Sequence, residues 1–508
     1  MVMSPPKNAA DFLFDVADAV DVPVVVRSAG ELRRPPEKQW KGAEASWPAV
    51  AQLPTDGDYL ASTTWRQILH AAKDVGRDLA PWLRKTPWLA VNEFIARVAP
   101  LQAYLCMKDV PGPPAAAGRR LFVSAIYQHG TERSAHAAFA YHLGMTMAQW
   151  ACVGMSGMGN TRHIEVGGPG DHPGFLDASQ SLPDLWGSHL MENQPWLIEA
   201  KARRHLGKTG LIEGIEQLNG GTKLMTVPHR QVLCGTSLPR RDRWEDDHLF
   251  MTVDSSVITP LSPGAGGVLS PLGPPPDGAE DHIASDTEAL LTVARSQLMA
   301  YRAIAFGAVE DLRLIAVSQA RSARPLHRTG ILTPLERDEP TREIRRRLRS
   351  ESVSSESALR SRKDASDFIA ARLPGTGVHL GMSRRLFSAC AALHQAQADM
   401  PVTESPFPPD VRSLRHRADD EEREAYSRAA RSAYYEQEEE RGPRLRAEVR
   451  RGFARADAQA WGDLLHGREA RLALEDPEER EILEGTTAET YLAIDGTEPV
   501  LATGREGG

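Results

Sequence analysis

Residues 181–201 read S-L-P-D-L-W-G-S-H-L-M-E-N-Q-P-W-L-I-E-A-K, and this stretch decides the fold. Leu182–Met191 and Pro195–Lys201 are short and apolar and meet at the polar Glu192-Asn193-Gln194, the composition of two strands and a turn. Side chains two apart on a strand share a face, so Glu199 and Lys201 project together while Ala200 points away. With the hairpin centred between Met191 and Glu192, Asp184 stands opposite Glu199. Directly opposed Cβ atoms lie about 5 Å apart, a spacing at which two carboxylates can hold one hard cation. A turn centred on Asn193 gives a different register. The plain alternative is an exposed hairpin with a same-face Glu and Lys, because P-D and E-x-K are short patterns.

Outward from the hairpin, helical and strand-like stretches mix. Glu132–Val153 is Ala-rich and helical, Thr209–Leu218 has helical spacing, and Gln231–Ser237 and His248–Val253 read as strands, which makes a mixed α/β block of about 130–258. Ala284–Gly307 reads as a helix and Leu312–Val317 as a strand, so the expected core runs from 130 to 335 with a Pro/Gly-rich loop at 260–282. Residues 1–129 form an expected, mostly helical N-terminal region. It carries helices over Ser62–Leu83 and Pro87–Met107, the latter through Trp88, Val91, Phe94, Ile95 and Val98, and a strand over Arg120–Tyr127. Its first 60 residues or so read as weakly structured, with one short strand at Val22–Val26. Residues 336–508 read as charged helices, basic over Arg342–Lys363, acidic over Asp419–Glu440, and anchored around Leu386, Phe387, Ala389 and Leu393.

Pro183-Asp184 followed by Glu199-Ala200-Lys201 resembles the signature of the PD-(D/E)xK nuclease superfamily, over about residues 130–258. The resemblance implies an α/β fold: a restriction-endonuclease-like mixed-sheet core flanked by helices, here with helical N- and C-terminal regions. It also implies a metal-dependent phosphodiesterase that cleaves nucleic acid, DNA foremost, in a restriction or phage-defence setting. Mg²⁺ or Mn²⁺ is the implied cofactor, held by Asp184 and Glu199. Lys201 is the third implied catalytic residue, orienting the nucleophile or offsetting charge in the transition state. Gln217, sixteen residues beyond Lys201, resembles the helical glutamine of some branches, although Gly221 stands where those have Tyr. It also reads as an ordinary polar helix residue. Members of the superfamily often draw a further acid from the first core helix, for which Glu132 and Glu165 are candidates.

Arg203, Arg204, His205 and Lys208 follow the motif directly, where phosphate contacts belong, though a solvated basic loop has the same composition. Trp186 and Trp196 read as core packing, and His163, His172 and His189 lack zinc-site spacing. The competing motif is Ala202–Thr209 (A-R-R-H-L-G-K-T), a relaxed Walker A form, with a Walker B-like strand ending at Asp254. Arg203-Arg204-His205 is bulky for a phosphate-wrapping loop, and Glu199 is a poor residue for the buried strand that feeds one. A non-enzymatic scaffold working through its charged C-terminal helices is the alternative from another class. Gly154-Met155-Ser156-Gly157-Met158 misses the last glycine of a nucleophile elbow.

The chain has 508 residues with 41% apolar and 25% charged side chains, enough to bury a large core and enough length for about three domains. Its net charge of −8 means that nucleic-acid binding needs a local basic surface. Cys106, Cys152, Cys234 and Cys390 form no C-x-x-C pair, and Asp11, Asp15 and Asp18 break up any leader-like apolar run. No stretch approaches the roughly 20 apolar residues of a membrane span. A cytoplasmic protein with no membrane partner is expected, with the C-terminal helices as the place for contacts with a second copy or a partner protein.

Overall fold

The computed structural model describes residues 19–28, 43, 45–48, 53–164, 182–239, 247–258, 280–307, 312–316, 367–399, 433–465, 471–472, 482–486 and 489–495, apart from gaps of up to four residues within these spans. The first strands and helices are β1 (Ala19–Ser28), β2 (Ala45–Ser46), β3 (Gly57–Thr64), α1 (Trp65–Asp74), the short α2 (Ala80–Leu83), α3 (Ala90–Tyr104), β4 (Leu105–Val110), β5 (Gly118–Val123) and α4 (Arg133–Gln149). They are followed by β6 (Met158–His163), β7 (Leu185–His189), β8 (Gln194–Arg204), α5 (Lys208–Thr222), β9 (His229–Leu238), β10 (Phe250–Ile258) and α6 (Glu280–Arg302). The protein is thus mixed α/β, as expected.

An eight-stranded mixed sheet runs β2-β3-β1-β10-β9-β8-β7-β6. Its middle is a β8-α5-β9 crossover, in which β8 and β9 pair in parallel from Trp196↔Arg230 to Arg204↔Leu238. A parallel pair needs such a covering helix, and β8 is correspondingly buried on both faces. Trp196 and Ile198 join the large core that also holds Leu143 and Met147 of α4, whereas Leu197 joins Leu211, Leu218 and Leu233 on the α5 side. Two close approaches fix these layers. A Cβ at Gly144 of α4 would lie 3.0 Å from the Ala202 Cβ, and one at Gly214 of α5 would lie 2.6 Å from the Leu233 Cδ1.

The N-terminal region is less helical than its sequence suggests, and the sheet crosses the boundary expected near residue 129. β1 pairs in parallel with β10 and antiparallel with β3, so strands from the first 64 residues extend the same sheet as β6–β10. β1 contains the short strand expected at Val22–Val26 and is twice its length; Pro23 sits just ahead of the first β10 pair, Val24↔Met251, where its missing N–H leaves no gap in that ladder. α1 begins at Trp65 rather than Ser62. Thr64 caps it, accepting from the Gln67 N–H at 3.4 Å while the Gln67 side chain accepts from the Thr64 N–H at 3.2 Å.

The C-terminal region is also corrected from helical to mixed. β11 (Leu312–Ala316), β12 (Asp367–Leu373), β13 (Val378–Ser383), β14 (Arg471–Leu472), β15 (Ile482–Thr486) and β16 (Thr490–Asp495) form a second sheet in the order β14-β11-β12-β13-β16-β15. α7 (Arg384–Ala398) carries the expected anchors Leu386, Phe387, Ala389 and Leu393, all buried in the large core, and α8 (Gly442–Arg455) adds Leu445 and Val449. Ala, Arg and Gly inside F-I-A-A-R-L and V-H-L-G-M-S weaken their strand propensity, so these strands exist by tertiary pairing. Residues 260–279 and 342–363 lie outside the described residues, as does most of 419–440. No helix among the described residues is long and apolar enough to cross a membrane.

Candidate active site

The β7–β8 hairpin has the register that sets Asp184 across from Glu199. Pairs run from Leu185↔Ile198 to His189↔Gln194, so the centre of the turn falls between residues 191 and 192. β7 ends at Leu185, and β8 continues past Ile198 without it. Asp184 occupies that point: its Oδ2 accepts the Ala200 N–H at 2.9 Å, and its own carbonyl accepts the Ile164 N–H at 2.9 Å. A strand edge that would otherwise present an unpaired donor is thus terminated by a carboxylate.

Glu199 and Lys201 share the α5 face of β8, as their spacing requires. The Lys201 Nζ lies 2.6 Å from the Glu199 Oε1 and also donates to the Gln217 Oε1 on α5. The Gln217 Nε2 donates in turn to the Leu182 carbonyl at 3.3 Å, linking helix, strand and the start of the hairpin. Gly214 makes room for this arrangement, since a Cβ there would lie 3.3 Å from the Glu199 Cγ and 3.5 Å from the Lys201 Cγ.

Glu199 is wholly buried, and its pKa is pushed well above the ordinary glutamate value, first by burial and then by the neighbouring Asp184 carboxylate, against the pull of Lys201. Two carboxylates and one ammonium at close quarters favour a proton on Glu199 or a cation beside it. Among the described residues no three His, Cys, Asp or Glu side chains gather as a metal cluster, and the carboxylates brought together here are the two of Asp184 and Glu199. That set fits Mg²⁺, which usually takes one or two carboxylates and fills its remaining positions with water and substrate phosphate.

Asp184, Lys201 and Gln217 open into a cleft of about 580 Å³, bounded on one side by α4 and on the other by the free run of β8, while Glu199 lies behind its wall. Arg203 and Arg204 line the cleft. The two differ in how they are held: Arg203 pairs with Glu213 at 2.5 Å, both half-exposed, whereas Arg204 lies 5.3 Å over the Tyr127 ring and 3.0 Å from the His136 Nδ1. Lys208 opens α5, and its side chain is outside the described residues, as is the whole of Glu165. Glu132 is the exposed N-cap of α4 and is not part of the cleft wall. Trp196 and His189 stack on each other in the core at 4.8 Å, consistent with packing rather than substrate contact.

Sequence reading missed the α4 wall: Arg133, His136 and Tyr141, with Tyr127 beneath Arg204. A signal exists in the spacing of Arg133, Ala137, Ala140 and Tyr141, a single helical face on which small residues flank a cation and a ring. The Walker-like segment does not form a phosphate-wrapping loop. Ala202–Arg204 are strand residues paired to Thr236–Leu238, only residues 205–207 precede α5, and β10, which carries Asp254, runs antiparallel to β9 and hence to β8. No family model matches the chain, and no curated protein or solved structure matches it.

Proposed function

We propose that the chain is a metal-dependent phosphodiesterase that hydrolyses nucleic acid at the Asp184, Glu199 and Lys201 cluster. The observation that carries this reading is the convergence of two carboxylates and an ammonium, set by one hairpin register, with Asp184 and Lys201 lining a cleft whose other charged walls are Arg133, Arg203 and Arg204 and Glu199 directly behind its wall. Asp184 and Glu199 would hold a divalent cation, which would supply Lewis-acid polarisation of the phosphate and lower the pKa of a water. The protein's own side chains do the rest. Asp184, anchored on the Ala200 N–H, keeps a carboxylate facing the cleft. Glu199 is buried and disposed to hold a proton, which it would have to give up to hold a cation, so cation binding there would be tied to pH. Lys201, steadied by Gln217, directs its ammonium to where charge builds on the phosphoryl oxygens as water oxygen adds to phosphorus and the ester P–O bond breaks. The arginines hold flanking phosphates and so fix the register of the chain.

The test is an end-labelled oligonucleotide incubated with purified protein in Mg²⁺, in Mn²⁺ and in EDTA, with Lys201→Met alongside. Metal-dependent cleavage by the wild type, reduced about 10²-fold or more in the variant while oligonucleotide binding persists, is the expected outcome. Equal cleavage by Lys201→Met removes the site from the chemistry.

A further inference from the structure

We infer that Arg204, aimed by His136, is a second phosphate subsite of the cleft and takes a phosphate next to the scissile one, so that the substrate is an oligo- or polynucleotide chain rather than a compound with a single phosphodiester. The inference rests on the phosphodiesterase reading and names its substrate class. The cationic side chains that line the cleft are not equivalent. Lys201 is paired with Glu199 and Arg203 with Glu213, and Arg133 stands exposed at the start of α4. Arg204 is half-buried, and among the described residues its partners are a ring face and an imidazole nitrogen rather than a carboxylate: the Tyr127 ring at 5.3 Å and the His136 Nδ1 at 3.0 Å. Its Nε N–H is buried with no acceptor among the described residues. A guanidinium partly withdrawn from water, with no counter-charge beside it, favours the arrival of an anion.

His136 fixes where that anion sits. Its Nε2 lies 2.5 Å from the Tyr127 carbonyl, which can only accept, so Nε2 carries the proton; Nδ1 is left with a lone pair, which the Arg204 guanidinium, able only to donate, fills. The imidazole leans on the buried Tyr127 ring, with centroids 4.3 Å apart, so the support of Arg204 is itself tied down and the guanidinium is held in place before any ligand binds. Arg204 is three residues beyond Lys201 on β8, which places it about 10 Å along the strand and on the opposite, α4 face. A phosphate seated at Lys201 and one seated at Arg204 are therefore different phosphates of one chain.

Fluorescence anisotropy in EDTA with labelled 20-nucleotide oligo-dT, 20-nucleotide oligo-U and a 20-base-pair DNA duplex, each over a NaCl series, tests this, using wild type, Arg204→Met, His136→Ala and His136→Asn. On the probe that the wild type binds most tightly, Arg204→Met, which keeps an apolar stem against Tyr127, should weaken binding about tenfold and lower the slope of log K against log salt by about 0.7 to 0.9, the share of one phosphate contact. His136→Ala should weaken binding about 3- to 10-fold, and His136→Asn, which returns an amide oxygen near the place of Nδ1, should recover most of the loss. Circular dichroism verifies that the variants fold. In Mg²⁺, Arg204→Met should raise KM for the oligonucleotide about tenfold and change kcat far less, as expected of a contact away from the reacting phosphate. No binding of any probe, binding and salt slope unmoved by Arg204→Met, or a fall in kcat as large as the rise in KM overturns the inference, and failure of His136→Asn to recover what His136→Ala loses overturns the positioning role of His136. Binding that depends on Arg204 as predicted, but with no metal-dependent cleavage by the wild type, refutes the phosphodiesterase reading alone.

Discussion

Glu199→Gln removes one charge and almost no volume at the most confined point of the site. Burial first, and Asp184 second, hold the Glu199 carboxyl pKa well above its ordinary value despite Lys201 at 2.6 Å. A carboxyl whose pKa is raised by folding stabilises the fold fully below its unfolded value of about 4.3, and that contribution is lost as pH rises towards the folded value. Metal-free wild-type protein should therefore lose unfolding free energy as pH climbs from 5 into the neutral and alkaline range, and the variant, with nothing to ionise at this position, should lose less. Divalent cation reverses the ranking. Opposite unit charges about 4 Å apart at an effective dielectric near 20 attract by about 4 kcal/mol, and with part of that offset by desolvation the loss of one carboxylate should weaken Mg²⁺ binding about 10²- to 10³-fold. Urea titrations at pH 5, 7 and 9, with and without Mg²⁺, and calorimetric titration of Mg²⁺ at one fixed pH read both effects. Identical pH slopes in the two proteins together with identical Mg²⁺ affinity would refute the electrostatic account of the cluster.

Gln217→Ala should lower kcat about tenfold with little change in KM, because Lys201 loses the partner that aims it while the arginines that hold substrate remain; steady-state kinetics on an oligonucleotide check this split. Gly214→Ala should destabilise the fold by about 1–2 kcal/mol in denaturant titration, since the new Cβ meets Leu233 at 2.6 Å and presses on Glu199, outweighing the helix propensity gained. Acid should destabilise the fold through His248, whose pKa burial lowers to about 4. Between its unfolded value of about 6.5 and 4 the unfolded chain binds the extra proton, so unfolding free energy at pH 5 should fall by on the order of 1–2 kcal/mol from this group, and His248→Phe should flatten that part of the pH profile.

The parts of the site that one hairpin controls were legible in its sequence. Strand alternation alone put Glu199 and Lys201 on one face, whereas the turn composition permitted two registers, and the pairing of the strands selects the one that sets Asp184 across from Glu199. α5 carried its own helical spacing, and with it came Gln217. Elements that exist through distant pairing were not legible. Only Val22–Val26 of β1 was legible, and its full length, through Asp21 and Pro23, exists because β10, more than 200 residues on, lies beside it. β12 and β13 read as polar and small and were swallowed by their charged surroundings. The α4 wall falls between these cases: its helix was evident, but that Arg133 and Tyr141 line one cleft with Asp184 depends on the packing of α4 on β8, where Gly144 approaches Ala202, and no local pattern records that contact.

The central claim is that Asp184, Glu199 and Lys201 cut phosphodiesters, and a side-by-side Mg²⁺ titration of cleavage by wild type and Glu199→Gln tests it most directly. The predicted result is product formation by the wild type that rises with Mg²⁺ and vanishes in EDTA, with Glu199→Gln binding the oligonucleotide as well as the wild type or better, because one repelling charge is gone, yet cleaving it negligibly. Equal cleavage by the two proteins across the titration would contradict the account and would leave the Asp184, Glu199 and Lys201 cluster as a buried polar feature of the hairpin.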